Sequence, residues 1–253
     1  MALVLTGFFL ALLATTLLAV LFEGLRIVRH LLISKRLTDS ITKFERRDAQ
    51  ARERILFIGD STGHGTGASD ARFSIVGRIG ADFPDAHIEN ASKTGSYLSR
   101  AVSLLKKKRT DASEKYDLIV IMLGGLHLAH GIPVWLTRRL LHEALASAKQ
   151  MCRGSVVLVS PYNFGLAPLY RFPLSRIYQR RAKVLDALYR AVAAEEGVIF
   201  VSHFREGADW LSERNLYARD KTHPNDEGYG ILYAQMSGSL FQVLRPTDEH
   251  FPH

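Results

Sequence analysis

The sequence predicts an α/β domain of three αβα layers on a five-stranded parallel sheet, preceded by an N-terminal transmembrane helix. Short apolar runs alternate with longer helical patterns along most of the chain. The short runs are continuously apolar, which is typical of strands that are covered on both faces of a parallel sheet. An uncharged stretch at the N-terminus adds the membrane helix. The 253 residues suffice for one domain with a sizeable core.

The N-terminal stretch from 2 to 22 contains no charged residue and has the length of a membrane span. We interpret 1–23 as an uncleaved anchor, because no Lys or Arg precedes the apolar run and its end is a poor cleavage site for a signal peptidase. Basic side chains follow the anchor: Arg26, Arg29, Lys35, Arg36, Lys43, Arg46 and Arg47. The positive-inside rule then predicts a single-pass membrane protein whose catalytic domain is cytoplasmic.

The segment 24–51 keeps a helical spacing of apolar residues and predicts an amphipathic linker helix. A catalytic domain over 52–245 and a C-terminal tail over 246–253 complete the predicted organisation. Strands are expected at 54–58, 87–89, 118–123, 155–160 and 198–201. Helices are expected at 73–81, 97–108, 133–151, 174–195 and 225–243.

Two motifs carry the chemistry. Gly59, Asp60 and Ser61 follow the first apolar run directly, and Asp220 precedes His223 by three residues near the end of the chain. A serine hydroxyl is a poor nucleophile unless a base lies within hydrogen-bond reach, and the base needs a carboxylate to fix its tautomer. In parallel sheets, sites lie at the carboxyl ends of the strands, where Ser61 is expected. The sequence therefore predicts a Ser61–His223–Asp220 triad.

The ordered set of motifs resembles the SGNH, or GDSL, hydrolases over about 54–244. It consists of the Gly-Asp-Ser block, Gly95 after the second strand, Gly124-Gly125 after the third and Asp220-x-x-His223 before the last helix. The resemblance implies a flavodoxin-like sheet and acyl-ester chemistry. It also implies that the amides of Ser61 and Gly95 form the oxyanion hole, and that Asp60 holds the nucleophile turn.

One position departs from the family pattern. The family block after the third strand is Gly-x-Asn-Asp, and its Asn donates to the oxyanion, whereas this chain has Leu126 there. Loss of one such donor typically lowers the rate by about 10²–10³. His127 and Asn163 are possible substitute donors. The alternatives are a solvent-facing loop histidine and a turn asparagine that satisfies its own backbone.

Composition limits the partners. The net charge of +8 and the pI of about 9.7 favour anionic surfaces such as phospholipid. Nucleic-acid-binding motifs are absent, so we expect no nucleic-acid partner. His127 and His130 lack a carboxylate cluster at ligand spacing, so we expect no metal and no cofactor. The one cysteine, Cys152, excludes an internal disulfide.

These observations predict a membrane-anchored serine esterase or lipase-like hydrolase that cleaves acyl esters through an acyl-enzyme on Ser61. A lipid-derived ester is one candidate substrate. The alternative is a weakly active or non-catalytic protein of the same fold that binds an acylated ligand or a protein partner, which Leu126 favours. The sequence leaves open the acyl length, transfer to an acceptor other than water, and the oligomeric state.

Overall fold

The computed structural model describes residues 2–111, 115–205 and 214–245, with side chains from residue 5 onward. The predicted tail, 246–253, lies outside the described residues. The sheet has five parallel strands in the order β2-β1-β3-β4-β5. The strands are β1 Glu53–Gly59, β2 Ala86–Asn90, β3 Tyr116–Met122, β4 Cys152–Val159 and β5 Ile199–Val201. The predicted three-layer fold with a flavodoxin-like sheet is confirmed.

Helices cover both faces of the sheet, as the continuously apolar strands require. Residues 55–58 of β1 and 118–121 of β3 are completely buried. Helices α4, α6 and α7 pack side by side, and α3 packs against α8. Right-handed crossovers place these two groups on opposite faces. The helices are α1 Ala2–Asp39, α2 Ser61–His64, α3 Ile75–Asp82, α4 Leu98–Asp111, α5 Gly125–Ala129, α6 Val134–Met151, α7 Leu174–Glu196 and α8 Asp226–Leu244.

Helix α1 is a continuous helix of 38 residues that joins the apolar N-terminus to the domain. By length and composition it could cross a membrane, and the side chains of its most apolar part are not buried inside the protein. The predicted linker helix over 24–51 is therefore too long at its C-terminal end, because α1 ends at Asp39.

The segment after α1 leaves the helix because the edge of the sheet takes its hydrogen bonds. Arg46 forms an antiparallel bridge with Ile88 of β2, with N–O distances of 3.0 and 2.8 Å. The Arg46 guanidinium also donates to the carbonyls of Gly80, Phe83 and Pro84 at 2.9 Å each. These contacts hold the chain extended beside β2, where a helix could not make them.

Candidate active site

The nucleophile turn starts where β1 ends. Oδ1 of Asp60 accepts from the amide of Thr62 at 3.0 Å and so caps the short helix α2, whose first residue is Ser61. Nδ2 of Asn90, at the end of β2, donates to the carbonyl of Gly63 at 3.0 Å. A β-carbon on Gly63 would lie within 2.8 Å of neighbouring side chains, so the turn packs closely on the adjacent strand. Ser61 is thus fixed at the carboxyl edge of the sheet.

The three residues of the predicted triad lie in one hydrogen-bonded line. Nε2 of His223 lies 2.7 Å from Oγ of Ser61, and Nδ1 of His223 lies 2.5 Å from Oδ2 of Asp220. The carboxylate accepts from Nδ1–H, which leaves Nε2 free to accept from the serine hydroxyl. The arrangement can therefore take a proton from Ser61 as its oxygen attacks an electrophile.

Asp220 is completely buried, and its environment keeps it charged. Burial alone raises the pKa of a carboxyl group. Here hydrogen bonds from His223 and from the amide of Thr222 outweigh burial, and the pKa of Asp220 is lowered. The intervening Lys221 has a φ of 60°, the left-handed region that side chains other than glycine rarely adopt. The backbone between the acid and the base is thus strained to bring both to one site.

The pKa of Asp60 is shifted in the opposite direction from that of Asp220. Burial raises its pKa, although hydrogen bonds from the amides of Thr62 and Gly125 and the charge of His223 lower it in part. Its described contacts are with the nucleophile turn and with Gly125 at the start of α5. They fit the expected role of holding the nucleophile turn.

A cavity of about 240 Å³ opens beside Ser61. Gly95 and Leu126, the two positions expected near an oxyanion, both line it. The φ of Gly95 is +75°, and no atom lies within 4 Å of a β-carbon built there, so its backbone faces open space. Most of the remaining wall is apolar and includes Met122, Ala129, Phe164 and Tyr170. Such a lining fits an acyl chain better than a polar group.

His127 does not face this cavity. Its ring is buried, Nε2 accepts from the amide of Leu98 at 3.2 Å, and Nδ1 lies 2.9 Å from Oγ1 of Thr137. Burial lowers its pKa to about 4. His127 is therefore a neutral histidine that attaches the start of α4 to α6. This position supports neither the expected role of His127 as an oxyanion donor nor the alternative of a histidine that faces solvent.

Asn163 is also turned away from Ser61. It lines a separate surface pocket beside α7, and Nδ2 has one long contact of 3.5 Å with the carbonyl of Arg205. Its side chain is buried at the start of a 3₁₀ turn over Phe164–Leu166. The loop after β4 bends at this turn and carries the amide group away from the catalytic cavity. Its placement is therefore against a role in the oxyanion hole.

Four residues that sequence reasoning missed do line the cavity. Thr94 precedes Gly95, and its buried hydroxyl has no partner among the described residues. His203 follows β5; burial lowers its pKa to about 4, and its Nε2 has no partner in the described part of the chain. Leu31 and Ser34 come from α1. The position of Thr94 beside an expected oxyanion glycine was a usable signal, whereas no local pattern marks the other three.

Over 2–111, 115–205 and 214–245, no group of three or more His, Cys, Asp or Glu side chains is arranged to hold a metal ion.

Comparison with known proteins identifies the family. Residues 57–231 match the GDSL-like Lipase/Acylhydrolase family, so the chain belongs to this family and is classed as a hydrolase. The matched range contains Ser61, Gly95, Asp220 and His223, and it excludes α1. A comparison with curated protein sequences gives no significant match.

Solved structures share the fold at low sequence identity. A lipolytic G-D-S-L family protein from Veillonella parvula superimposes with a TM-score of 0.61 at 16% identity, covering 75% of this chain and 99% of that one. The psychrotrophic esterase EstA from a Pseudoalteromonas species gives 0.59 at 16%, covering 75% and 97%. An acetylxylan esterase from Geobacillus stearothermophilus gives 0.52 at 20%, covering 75% and 94%.

Proposed function

We propose that the chain is a membrane-anchored serine esterase that cleaves acyl esters through an acyl-enzyme on Ser61. The observation that carries this proposal is the hydrogen-bonded line from Ser61 through His223 to the buried, charged Asp220. A dyad without the carboxylate would leave the tautomer of the histidine undetermined. Membership of a lipase and acylhydrolase family supports the same chemistry.

The reaction follows from the positions of these atoms. Oγ of Ser61 forms a bond to the acyl carbon while its proton passes to Nε2 of His223. The amides of Ser61 and Gly95 donate to the negative oxygen of the tetrahedral intermediate. The imidazolium then gives its proton to the departing alcohol oxygen as the acyl–oxygen bond breaks. Water repeats these steps on the acyl-enzyme and releases the carboxylic acid.

Thr94 supplies the third donor in place of the absent asparagine. Leu126 occupies the expected position on the cavity wall and has no hydrogen to donate. The Thr94 hydroxyl is buried in the same wall beside Gly95 and has no partner among the described residues. An unpaired buried hydroxyl costs about 1–3 kcal/mol, so a substrate oxygen that accepts from it would recover that energy.

The apolar cavity and the N-terminal helix favour an acyl ester that comes from a bilayer. The basic residues after the apolar part of α1 favour the cytoplasmic side for the domain, next to anionic headgroups. The solved neighbours, described as a lipolytic protein, an esterase and an acetylxylan esterase, all belong to ester chemistry. They support the class of bond, and the cavity lining favours a fatty acyl group.

Leu126 favours a second candidate function, a weakly active or non-catalytic protein that binds an acylated ligand or a partner. A fluorophosphonate probe separates the two, because it labels only an activated serine. We expect the purified protein to be labelled, and Ser61→Ala and His223→Ala to be unlabelled. A wild-type chain that is neither labelled nor able to hydrolyse short and long esters would support the binding function.

A further inference from the structure

Helix α1 continues past its apolar part and docks on the catalytic domain along one side. Residues that are partly or fully shielded from solvent recur every three or four positions, which is one face of a helix. They are Glu23, Arg26, Ile27, His30, Ile33, Ser34, Leu37 and Thr38. His30, at the centre of this face, is only 8% exposed. The shielding continues over four turns, so the docked face is continuous from Glu23 to Thr38.

Polar contacts fix both ends of the docked face. At the N-terminal end, Nη2 of Arg26 donates to the carbonyl of Leu169 at 2.6 Å, and Glu23 pairs with Arg171 at 3.1 Å. At the C-terminal end, the hydroxyls of Thr38 and Thr66 lie 2.9 Å apart. Because Thr66 follows α2, this last contact joins α1 to the nucleophile turn itself.

Between these ends, α1 reaches the reacting atoms. Leu31 and Ser34 line the catalytic cavity. Oγ of Ser34 lies 3.3 Å from Nδ1 of His223, the nitrogen whose hydrogen is directed at Asp220. The serine oxygen is therefore a second, weaker acceptor for the same N–H. It limits rotation of the ring and faces the positive charge that the ring acquires during the reaction.

The family match starts at residue 57, so this wall is an addition to the common catalytic domain. We propose that α1 is a working part of the active site, in which Leu31 determines the acyl chains that are accepted and Ser34 positions His223. The proposal rests on ester hydrolysis at Ser61. It adds that the helix emerging from the membrane, and not only the domain, selects the substrate.

The exposed position of Leu31 is the basis for its proposed role in selecting the acyl chain. Its side chain is 56% exposed although it lines the cavity, so it stands at the mouth. Val28, one turn earlier, is also more than half exposed, as is Leu25 nearer the apolar part of α1. These side chains form an apolar surface that leads from the membrane span to the mouth, where a long acyl chain would lie against Leu31.

The first test narrows the mouth of the catalytic cavity by a substitution at Leu31 and compares it with a matched control. In the full chain in detergent micelles, we expect Leu31→Trp to lower kcat/KM for a palmitoyl p-nitrophenyl ester at least ~10-fold while that for the acetyl ester changes little. Leu32→Trp is the control, because it adds the same ring at the next residue, whose side chain does not line the cavity. This variant should cleave both esters as the wild type does. Equal effects of the two variants, or an unchanged preference for chain length, would overturn the role of Leu31.

The second test concerns Ser34. Ser34→Ala should lower kcat about 2- to 10-fold for the acetyl ester, the range expected for one hydrogen bond, with KM unchanged. Ser34→Thr keeps the hydroxyl and should restore kcat. A wild-type kcat in Ser34→Ala, or a loss confined to KM, would refute a positioning role.

A third test is independent of any hydrolysis. With Cys152→Ser as background, Thr38→Cys and Thr66→Cys place two thiols where hydroxyls are now in contact, and oxidation of the full chain should join them. A control pair, Arg36→Cys with Thr66→Cys, uses an exposed position on the opposite side of α1 and should stay reduced. If the Thr38–Thr66 pair does not crosslink, the proposal fails even in a chain that cleaves esters. If it crosslinks in a chain that cleaves none, the docking stands and the proposed function fails instead.

Discussion

The carboxylate of Asp220 lies 2.5 Å from Nδ1 of His223, and the two are only three residues apart in one strained turn. The same turn directs two backbone amides at the other carboxylate oxygen. The acid is thus oriented by the backbone as well as by the histidine, and rotation of its carboxylate would break several hydrogen bonds together.

Removing the charge of Asp220 should slow the chemical step while leaving the fold intact. Asp220→Asn keeps the size of the side chain but presents an N–H or a neutral oxygen to the histidine, which favours the wrong tautomer. We expect kcat on a short acyl ester to fall by about 10³–10⁴, with KM nearly unchanged.

Ser61→Ala should remove all turnover above background. Wild-type-like turnover in Ser61→Ala would exclude the serine mechanism.

The oxyanion hole can be tested by adding one hydrogen-bond donor and by removing another. Leu126→Asn restores the family donor, but kcat for an activated ester should rise only slightly because Thr94 already supplies the third donor. A gain of up to ~10²-fold, the inverse of the usual loss, would show instead that no side chain donates in the wild type. Thr94→Val removes the hydroxyl at nearly constant volume and should lower kcat about 10²-fold if Thr94 already donates.

The two variants also control each other. In the double variant the added asparagine should recover most of the loss caused by Thr94→Val. Asn163→Ala serves as a control outside the catalytic site, because Asn163 does not line the cavity beside Ser61. A Thr94→Val variant with undiminished kcat would show that the two amides act without a side-chain donor.

Two buried histidines should make stability depend on pH. Burial lowers the pKa values of His127 and His203 from 6.5 to about 4. Below pH 6.5 the unfolded chain takes up protons that the folded chain does not, so the free energy of unfolding falls as pH falls from 6.5 to 4. Each residue contributes at most about 3 kcal/mol over this window.

The measurement is thermal or denaturant unfolding at several pH values between 4 and 7.5. His127→Gln should be less stable near pH 7, because it loses a buried contact with Leu98, and should show a smaller decrease towards pH 4. An unchanged pH dependence in this variant would mean that His127 is not held neutral in the folded state.

Truncation separates the membrane span from the docked part of α1. Deletion of 2–22 retains the chain from Glu23 onward and should leave a folded domain that binds anionic vesicles at low salt only. Deletion of 2–39 removes Leu31 and Ser34 as well, and should further reduce activity on long-chain esters.

A reporter fused after His253 should be active in the cytoplasm; activity only outside it would reverse the proposed orientation.

The sheet, and the close approach of Ser61, His223 and Asp220, could be predicted because both follow from local patterns with a strong physical cause. Continuously apolar runs have few alternatives to a covered parallel sheet, and Ser61 with His223 follows from the need of a serine for a base. The position of His127 could not be predicted, because its ring lies away from the cavity beside Ser61. Nothing in the local sequence shows that the short helix α5 turns this ring toward Leu98, 29 residues earlier in the chain.

The contacts of α1 could not be predicted for a related reason. A spacing of apolar residues marks an amphipathic helix but does not name the surface on which it packs. The pairing of Ser34 with His223 joins residues 189 positions apart and exists only because α1 crosses the mouth of the cavity. The end of α1 at Asp39 likewise depends on the hydrogen bonds that Arg46 makes to the edge of the sheet.

In the proposed membrane-anchored protein, the unbroken helix α1 fixes the distance between the bilayer and the nucleophile. Leu31 lies nine residues beyond Phe22, which along a helix corresponds to about 13 Å. The polar layer on each side of a bilayer is only about 5–7 Å thick, so in the proposed orientation the mouth stands just above the headgroups. Every lipid substrate must then rise to one fixed height above the bilayer, and a longer or shorter helix would change how far it has to leave the membrane before its ester bond reaches Ser61.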